Sequence, residues 1–199
     1  MDDRSLSRLK SYQNSFAQHG ESPKALQWSS YKAAAIRYTQ LVADLNIENK
    51  SILDVGCGMG DLLPYLYSKN LDFDYLGVDI VPDFIEIAKK RYLGSAFDVF
   101  NPFDDELTQT YDIIVSSGTM NIKTPGWENR RKMMIEHLYK YANEALAFNM
   151  AGWMQESSEG KKIAFAHIPD IFEFCRSLTP KVILRNHYNA KDFTIVMYK

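Results

Sequence analysis

Short runs of β-branched and other apolar residues alternate along this chain with longer amphipathic stretches, the pattern of a parallel α/β sheet. A first strand is expected over Ser51-Ile52-Leu53-Asp54-Val55, followed by a glycine turn and a helix from about Asp61 to Lys69. A second strand, Tyr75-Leu76-Gly77-Val78-Asp79, leads into a helix from Pro82 to about Tyr92, the proline suiting a first helical turn. Ala96–Val99 and Tyr111–Ser116 supply strands three and four. Met133, Met134, Leu138 and Tyr141 recur at helical spacing over about 128–141, and Ala145–Asn149 forms a fifth strand. Residues 151–162 are polar, contain glycine and lack a period, so they predict a surface loop. A helix from about Pro169 to Ser177 and a hairpin of Lys181–His187 and Phe193–Tyr198 close the chain.

Ahead of the first strand, residues 6–45 are helical and rich in aromatics: Tyr12, Phe16, Trp28, Tyr31 and Tyr38. These rings either pack the segment onto the sheet or make it a lid. The organisation expected is a helical lid segment over 1–45 and one α/β unit over 46–199.

Composition narrows the class. At 199 residues, 46% hydrophobic and 24% charged, the chain fits one globular domain. It offers no apolar run of about 18 residues, which argues against a membrane span. The start, Met1-Asp2-Asp3-Arg4-Ser5, lacks the basic and apolar regions of a secretory signal. Cys57 and Cys175 stand far apart with no Cys-x-x-Cys pairing, so neither a disulfide framework nor a zinc site is indicated, and a cytoplasmic location is expected. Lysine plus arginine (23) nearly balances aspartate plus glutamate (25), which argues against a global attraction to nucleic acid.

The chemistry concentrates at the turn after the first strand. A chain that reverses sharply there while letting a ligand approach its backbone needs glycine, and Gly56, Gly58 and Gly60 meet that need around Cys57. Such turns also hold the pyrophosphate of nicotinamide or flavin cofactors at a helix N-terminus. Asp54 before the turn and Asp61 after it would repel a pyrophosphate, yet they suit a ligand bearing sulfonium and ammonium groups. About 20 residues on, Asp79, followed by Ile80, sits where an acidic side chain accepts from ribose hydroxyls. Asp98 at the third strand end is placed to accept from an adenine amino group, and the Val99 amide to bond the ring. The four aspartates describe one nucleoside cofactor, S-adenosylmethionine.

Asp54-Val55-Gly56-Cys57-Gly58-Met59-Gly60 resembles the first motif of the class I S-adenosylmethionine-dependent methyltransferases, and Asp79 matches their second-strand acidic residue. The likeness extends from about Ile36 to Lys199. It takes in Asp98, Ser116-Ser117-Gly118 after strand four, and a last strand like Phe193-Thr194-Ile195-Val196-Met197; Asn149 and His187-Tyr188 are similar to small bacterial members of unassigned substrate. The resemblance implies a doubly wound, mostly parallel seven-stranded sheet with an antiparallel last strand, S-adenosylmethionine as cofactor, and Ser116 on the cofactor side. Tyr12 on the N-terminal segment and Arg37, suited to a bidentate contact with the cofactor carboxylate, complete the cofactor candidates.

Methyl transfer needs positioning more than covalent help, because the sulfonium already activates the methyl group. Acceptor-side candidates are Asn121 after strand four, Asn149 at the end of strand five, and His187 with Tyr188 before the last strand, His187 as a general base or as a structural hydrogen-bonder. The chain has no Asn/Asp-Pro-Pro-aromatic signature of amino-methylating enzymes on adenine, cytosine or glutamine, and no acidic metal ligand like that of catechol O-methyltransferases, so no metal is expected. Asn129-Arg130-Arg131-Lys132 either touches phosphate or forms a solvated helix face. The expected activity is methyl transfer to an oxygen or nitrogen of a small molecule. The alternatives are an enzyme acting on RNA or protein, a nicotinamide-dependent dehydrogenase, or a cofactor-binding protein without catalysis.

Overall fold

The computed structural model describes residues 3–26, 28, 30–121, 123, 125–154 and 163–199. Helices α1 (Asp3–His19) and α2 (Tyr31–Val42) flank a 3-10 turn at Pro23–Leu26 and precede strand β1 (Lys50–Val55). There follow α3 (Leu63–Tyr67), β2 (Phe73–Asp79), α4 (Pro82–Arg91), β3 (Ala96–Val99), β4 (Tyr111–Ser117), α5 (Trp127–Tyr141) and β5 (Ala142–Trp153). The two-residue β6 (Ala166–His167), α6 (Ile168–Leu178), β7 (Val182–Arg185) and β8 (Asp192–Tyr198) complete the chain.

The sheet runs β3-β2-β1-β4-β5-β8-β7, with β6 paired only to the end of β5. From β3 to β5 all neighbours are parallel, and β8 lies antiparallel to both β5 and β7. This is the mostly parallel, seven-stranded path that the resemblance implied. Its central strands are apolar on both faces, as a sheet covered on both sides requires. Ile52, Ile113, Val115, Ala147 and Val196 face Tyr38, Leu41 and Val42 of α2. Their neighbours Leu53, Val55, Ile114, Leu146 and Phe148 face Met134, Ile135 and Leu138 of α5 and Ile171 and Cys175 of α6. Strand order reverses at β1, between β2 and β4, the switch point at which open α/β sheets form a ligand crevice.

Local chemistry sets several boundaries. Ser30 caps α2 by accepting from the Ala33 amide at 3.2 Å, and Pro82 opens α4 in its first turn. The helix expected from Asp61 is shorter: turns run from Gly60 through Leu62, and α3 begins at Leu63 with Pro64 in its first turn. Ala151–Trp153, expected to start a loop, instead extend β5. Met150 and Ala151 pair with Phe193 and Asp192, and a Cβ on Gly152 would come within 2.6 Å of the Phe193 ring, so glycine here admits a core side chain. The remainder of that expected loop, residues 155–162, lies outside the described residues. No helix among the described residues is long and apolar enough to cross a membrane.

α1 reaches the body through aromatic edges. Tyr12 and Phe16 stand edge-on to the buried Phe84 of α4, with centroids 5.9 and 5.8 Å away. Leu9 and Leu26 pack against the same cluster.

Candidate active site

A cleft of about 1170 Å³, counting the solvent at its mouth, opens at the carboxyl ends of β1, β2 and β4. Its floor is the glycine turn. Gly56, Gly58 and Gly60 have φ of 79°, 57° and 81°, a region that other L-residues seldom adopt. A Cβ on Gly56 would run into the Thr119 hydroxyl, and one on Gly58 would come 2.8 Å from Leu26 Cδ2. The Gly56 and Cys57 amides both donate to the Val78 carbonyl, at 2.7 and 3.0 Å, tying the turn to β2.

Asp79, buried at the end of β2, organises the same turn. Its two oxygens each accept a backbone amide, Gly58 and Val81, both at 2.9 Å. Each oxygen keeps acceptor capacity for a hydroxyl. Burial raises its pKa, and the bonds from Val81 and Gly58 and the charge of Arg8 counter that rise. Asp54 is also buried and accepts from the Tyr75 hydroxyl at 2.8 Å. Its pKa is pushed up to about 7, mainly by burial; Tyr75 opposes the shift and the charge of Asp79 adds to it. A cation beside Asp54 would restore the ionised form. Two carboxylates and a turn sealed against side chains fit a ligand with a ribose and an ammonium group. Cys57 lines the cleft with its thiol pKa raised well above normal, chiefly by burial, so it is no thiolate nucleophile.

The cover comes from α1 (Arg8, Tyr12), the following turn (Leu26, Trp28), α2 (Arg37, Tyr38) and Phe84 of α4. Arg37 Nη2 reaches both oxygens of Asp192, at 2.7 and 2.9 Å, and its guanidinium lies 4.7 Å from the Trp28 ring centroid. It therefore meets the cleft already paired with a carboxylate. Arg8 Nη2 donates to the Thr119 carbonyl at 2.8 Å, joining α1 to the loop after β4.

That loop forms the remaining wall with Ser117, Gly118, Thr119 and Asn121. Asn149 is fully buried behind it: its Oδ1 accepts from Ser117 Oγ at 3.1 Å and its Nδ2 donates to the Arg37 carbonyl at 3.3 Å. Asn121 stands in the wall itself, accepting the Ala151 amide on Oδ1 at 2.8 Å.

Of the residues expected at the site, the cleft brings together Tyr12, Arg37, Asp54, Gly56, Cys57, Gly58, Asp79, Ile80 and Asn121. The others stand elsewhere for identifiable reasons. Gly60 lies under Tyr92 and Phe97, where a Cβ would come 2.8 Å from Tyr92. Asp61 faces Arg91 at 3.4 Å. Ser116 is buried and donates to the Val55 carbonyl at 2.9 Å. Asp98 is exposed and accepts from the amide of Val99, itself exposed, at 2.8 Å. Asn149 acts through Ser117 and not at the surface of the cleft. His187 is exposed on the turn between β7 and β8, edge-on to Tyr188. The Tyr188 hydroxyl shares a 2.9 Å hydrogen bond with Thr194, and burial first among causes pushes its pKa to about 12; neither residue is among those lining this cleft.

Several lining residues carried no expectation. After β3 the wall is Phe100, Asn101 and Pro102, one turn beyond Asp98. Asn101 shapes it, donating from its amide to Asp105 at 2.7 Å and from Nδ2 to Asp104 at 2.7 Å. The Asn-Pro pair was the available signal, since it marks a turn. Arg8, Leu26 and Ile163 arrive from segments remote in sequence and had none. Of the basic run on α5, Arg131 does not belong to a solvated face. Arg131 is buried, with Nε donating to the Met120 carbonyl at 2.9 Å and Nη2 to that of Ala164, and burial pushes its pKa to about 9. Arg130 and Lys132 lie over the rings of Phe103 and Phe174. No metal-binding group of three or more His, Cys, Asp or Glu occurs among the described residues.

A switch-point cleft with a positive-φ glycine turn, a buried carboxylate at the next strand end and another just before the turn defines a Rossmann-like protein for a nucleoside cofactor. Comparison makes the class specific. Residues 53–144 match the family model described as "Methyltransferase domain". Over 155 residues the chain is 27% identical to Rv1506c of Mycobacterium tuberculosis (strain ATCC 25618 / H37Rv), named provisionally as a methyltransferase, covering 75% of this chain and 93% of the relative. It is 33% identical over 104 residues to a malonyl-[acyl-carrier protein] O-methyltransferase of Acetivibrio thermocellus, of whose length it spans 37%. Among solved structures, DhpI in its SAM-HEP complex superposes with a TM-score of 0.73 at 15% identity over 98% of both chains. Magnesium protoporphyrin IX methyltransferase of Synechocystis PCC 6803 with bound SAH gives 0.63 at 17% identity over 81% of this chain and 80% of that one. The matched domain and the superposed methyltransferases together support an S-adenosylmethionine-dependent methyltransferase with S-adenosylmethionine as its cofactor, and they argue against the dehydrogenase alternative.

Proposed function

We propose that the enzyme methylates an oxygen or nitrogen of a small-molecule acceptor held between the glycine turn and the loop after β4. The bound cofactor supplies an electrophilic methyl group and leaves as a neutral thioether. Asp79 would hold its ribose, the glycine turn would face its backbone, and Asp54 would take its ammonium group. Asn121 orients the acceptor from the opposite wall, and residues 1–45 act as a lid that excludes water during transfer.

The observation that carries this reading is the cover itself: α1 and the turn after it bring Arg8, Tyr12, Leu26 and Trp28 to the cleft, and α2 brings Arg37 and Tyr38. Such a roof suits a molecule that can be enclosed better than a polymer that must lie across an open mouth. The alternative of an RNA or protein substrate loses its main support, since Arg131 is buried and Arg130 folds over Phe103. Transfer of labelled methyl from S-adenosylmethionine to a panel of hydroxy, amino and carboxylic acids, compared with bulk RNA and denatured protein, tests the proposal. Label entering only small molecules is expected; label entering only polymer would overturn it.

A further inference from the structure

Two arginines enter the cleft, and their electrostatic situations differ. Arg37 is matched by Asp192, which it contacts through both carboxylate oxygens. Its charge and that of Asp54 both act on the Tyr38 hydroxyl. Arg8 stands against the loop after β4. It donates to the neutral Thr119 carbonyl and its guanidinium lies 5.4 Å from the Phe103 centroid. The carboxylate whose charge acts on it, Asp79, already accepts two backbone amides. Asp104 and Asp105 on the Phe103 loop turn oxygens to Asn101. Among the described residues no carboxylate forms an ion pair with Arg8.

Arg130, which also donates to the Ser5 hydroxyl, lies nearby. Its guanidinium lies 4.3 Å from the centroid of the same Phe103 ring, and its positive charge works against that of Arg8. A guanidinium has five N–H donors in a planar fork that matches carboxylate and phosphate oxygens. With like charge beside it and water partly excluded, an arginine gains from an anion far more than from a neutral carbonyl. The cofactor carboxylate would follow its ammonium group, which the proposal above gives to Asp54, a residue whose charge acts with that of Arg37 on Tyr38.

We propose that the methyl acceptor carries an anionic group, a carboxylate or a phosphate, and that Arg8 binds it beside the Thr119–Asn121 wall. The inference rests on the small-molecule reading above and names the substrate class. It also extends the part played by α1, because the helix that covers the cleft then brings the charge that recognises what is enclosed.

The test titrates acetate, acetamide and inorganic phosphate into protein saturated with S-adenosylhomocysteine, using wild type, Arg8→Gln and Arg8→Lys, with chemical-shift or calorimetric detection. Acetate or phosphate should bind wild type at least about tenfold more tightly than Arg8→Gln, with Arg8→Lys between them and acetamide silent. S-adenosylhomocysteine affinity should agree within about threefold across the three proteins. Binding of acetate alone identifies a carboxylate-bearing acceptor, and of phosphate alone a phosphate-bearing one. If neither anion binds the loaded wild type, or acetamide binds as well as acetate, the inference fails on wild type alone. Equal anion binding by a folded Arg8→Gln also overturns it. Failure of wild type to bind S-adenosylhomocysteine would overturn this inference and the methyltransferase reading together, whereas exclusive labelling of polymer in the transfer assay sinks the small-molecule reading first.

Discussion

The floor and the cover of the cleft are built in opposite ways. The floor belongs to the sheet: Asp54, Gly56, Gly58 and Asp79 lie on consecutive strand ends whose neighbours Leu53, Val55 and Val78 are almost wholly buried. Of the cover, α2 is packed into the sheet, whereas α1 touches the body through the half-buried rings of Tyr12 and Phe16 and a few hydrogen bonds, such as that from Arg8 to the Thr119 carbonyl. The floor is fixed by the same packing that fixes the fold, so it can be precise without acceptor present. α1 has fewer buried contacts and is suited to open and close.

The largest effect should come from removing what joins the two. Phe84→Ala takes away a buried ring that meets Tyr12 and Phe16, and should cost about 3–5 kcal/mol in urea unfolding. Hydrogen exchange of residues 3–19 should accelerate more than that of β1. Equal acceleration in both would mean that cover and floor open as one unit.

A change confined to the floor should be costly in another way. Gly56→Ala forces a side chain into positive φ and against Thr119, with a stability loss of about 1–3 kcal/mol. Its signature is loss of S-adenosylhomocysteine binding while the melt remains cooperative. Retained affinity would show that the turn tolerates a Cβ and that the close approach of Thr119 is relieved.

The floor also predicts a pH dependence. With its pKa raised from 3.8 to about 7, folded Asp54 keeps a proton that the unfolded chain releases between those values. Asp54 thus makes the free protein less stable as pH rises from 3.8 to about 7 and adds no slope above that. A cationic amino group beside it favours the ionised form, so S-adenosylhomocysteine should bind more tightly as pH rises through about 7, with proton release. Calorimetry in buffers of different ionisation enthalpy should detect that proton, and Asp54→Asn should abolish it.

The smallest effect belongs to the cover. Tyr12→Leu keeps bulk and loses one edge-to-face contact, about 0.5–1.5 kcal/mol. It should raise KM for the acceptor while S-adenosylhomocysteine affinity holds. A loss of cofactor affinity as large as that of Gly56→Ala would erase the distinction between the two regions.

The same contrast explains what could be read from the chain. Strand runs, the glycine turn and Asp79 obey local rules, short apolar runs and the backbone freedom of glycine, and each falls close to where those rules placed it. β5 did not, because Gly152 resembles a loop residue until the Phe193 ring beneath it is seen. Asp98 missed the wall because β3 ends on the exposed edge strand and Phe100–Pro102 turn inward beyond it. His187 and Tyr188 look chemical in sequence, yet the turn they occupy contributes no side chain to the lining of the cleft. Arg8 could not be found at all: its part depends on α1 folding back over a loop more than a hundred residues away, and no local pattern encodes that.

Whether the floor holds the cofactor through Asp79 is decided by calorimetry of S-adenosylhomocysteine binding to wild type and to Asp79→Ala. Wild type should form a one-to-one complex, and the variant should bind at least about a hundredfold more weakly, because two charge-assisted hydroxyl contacts are lost. A wild type that does not bind, or a folded Asp79→Ala that binds equally well, would contradict that assignment.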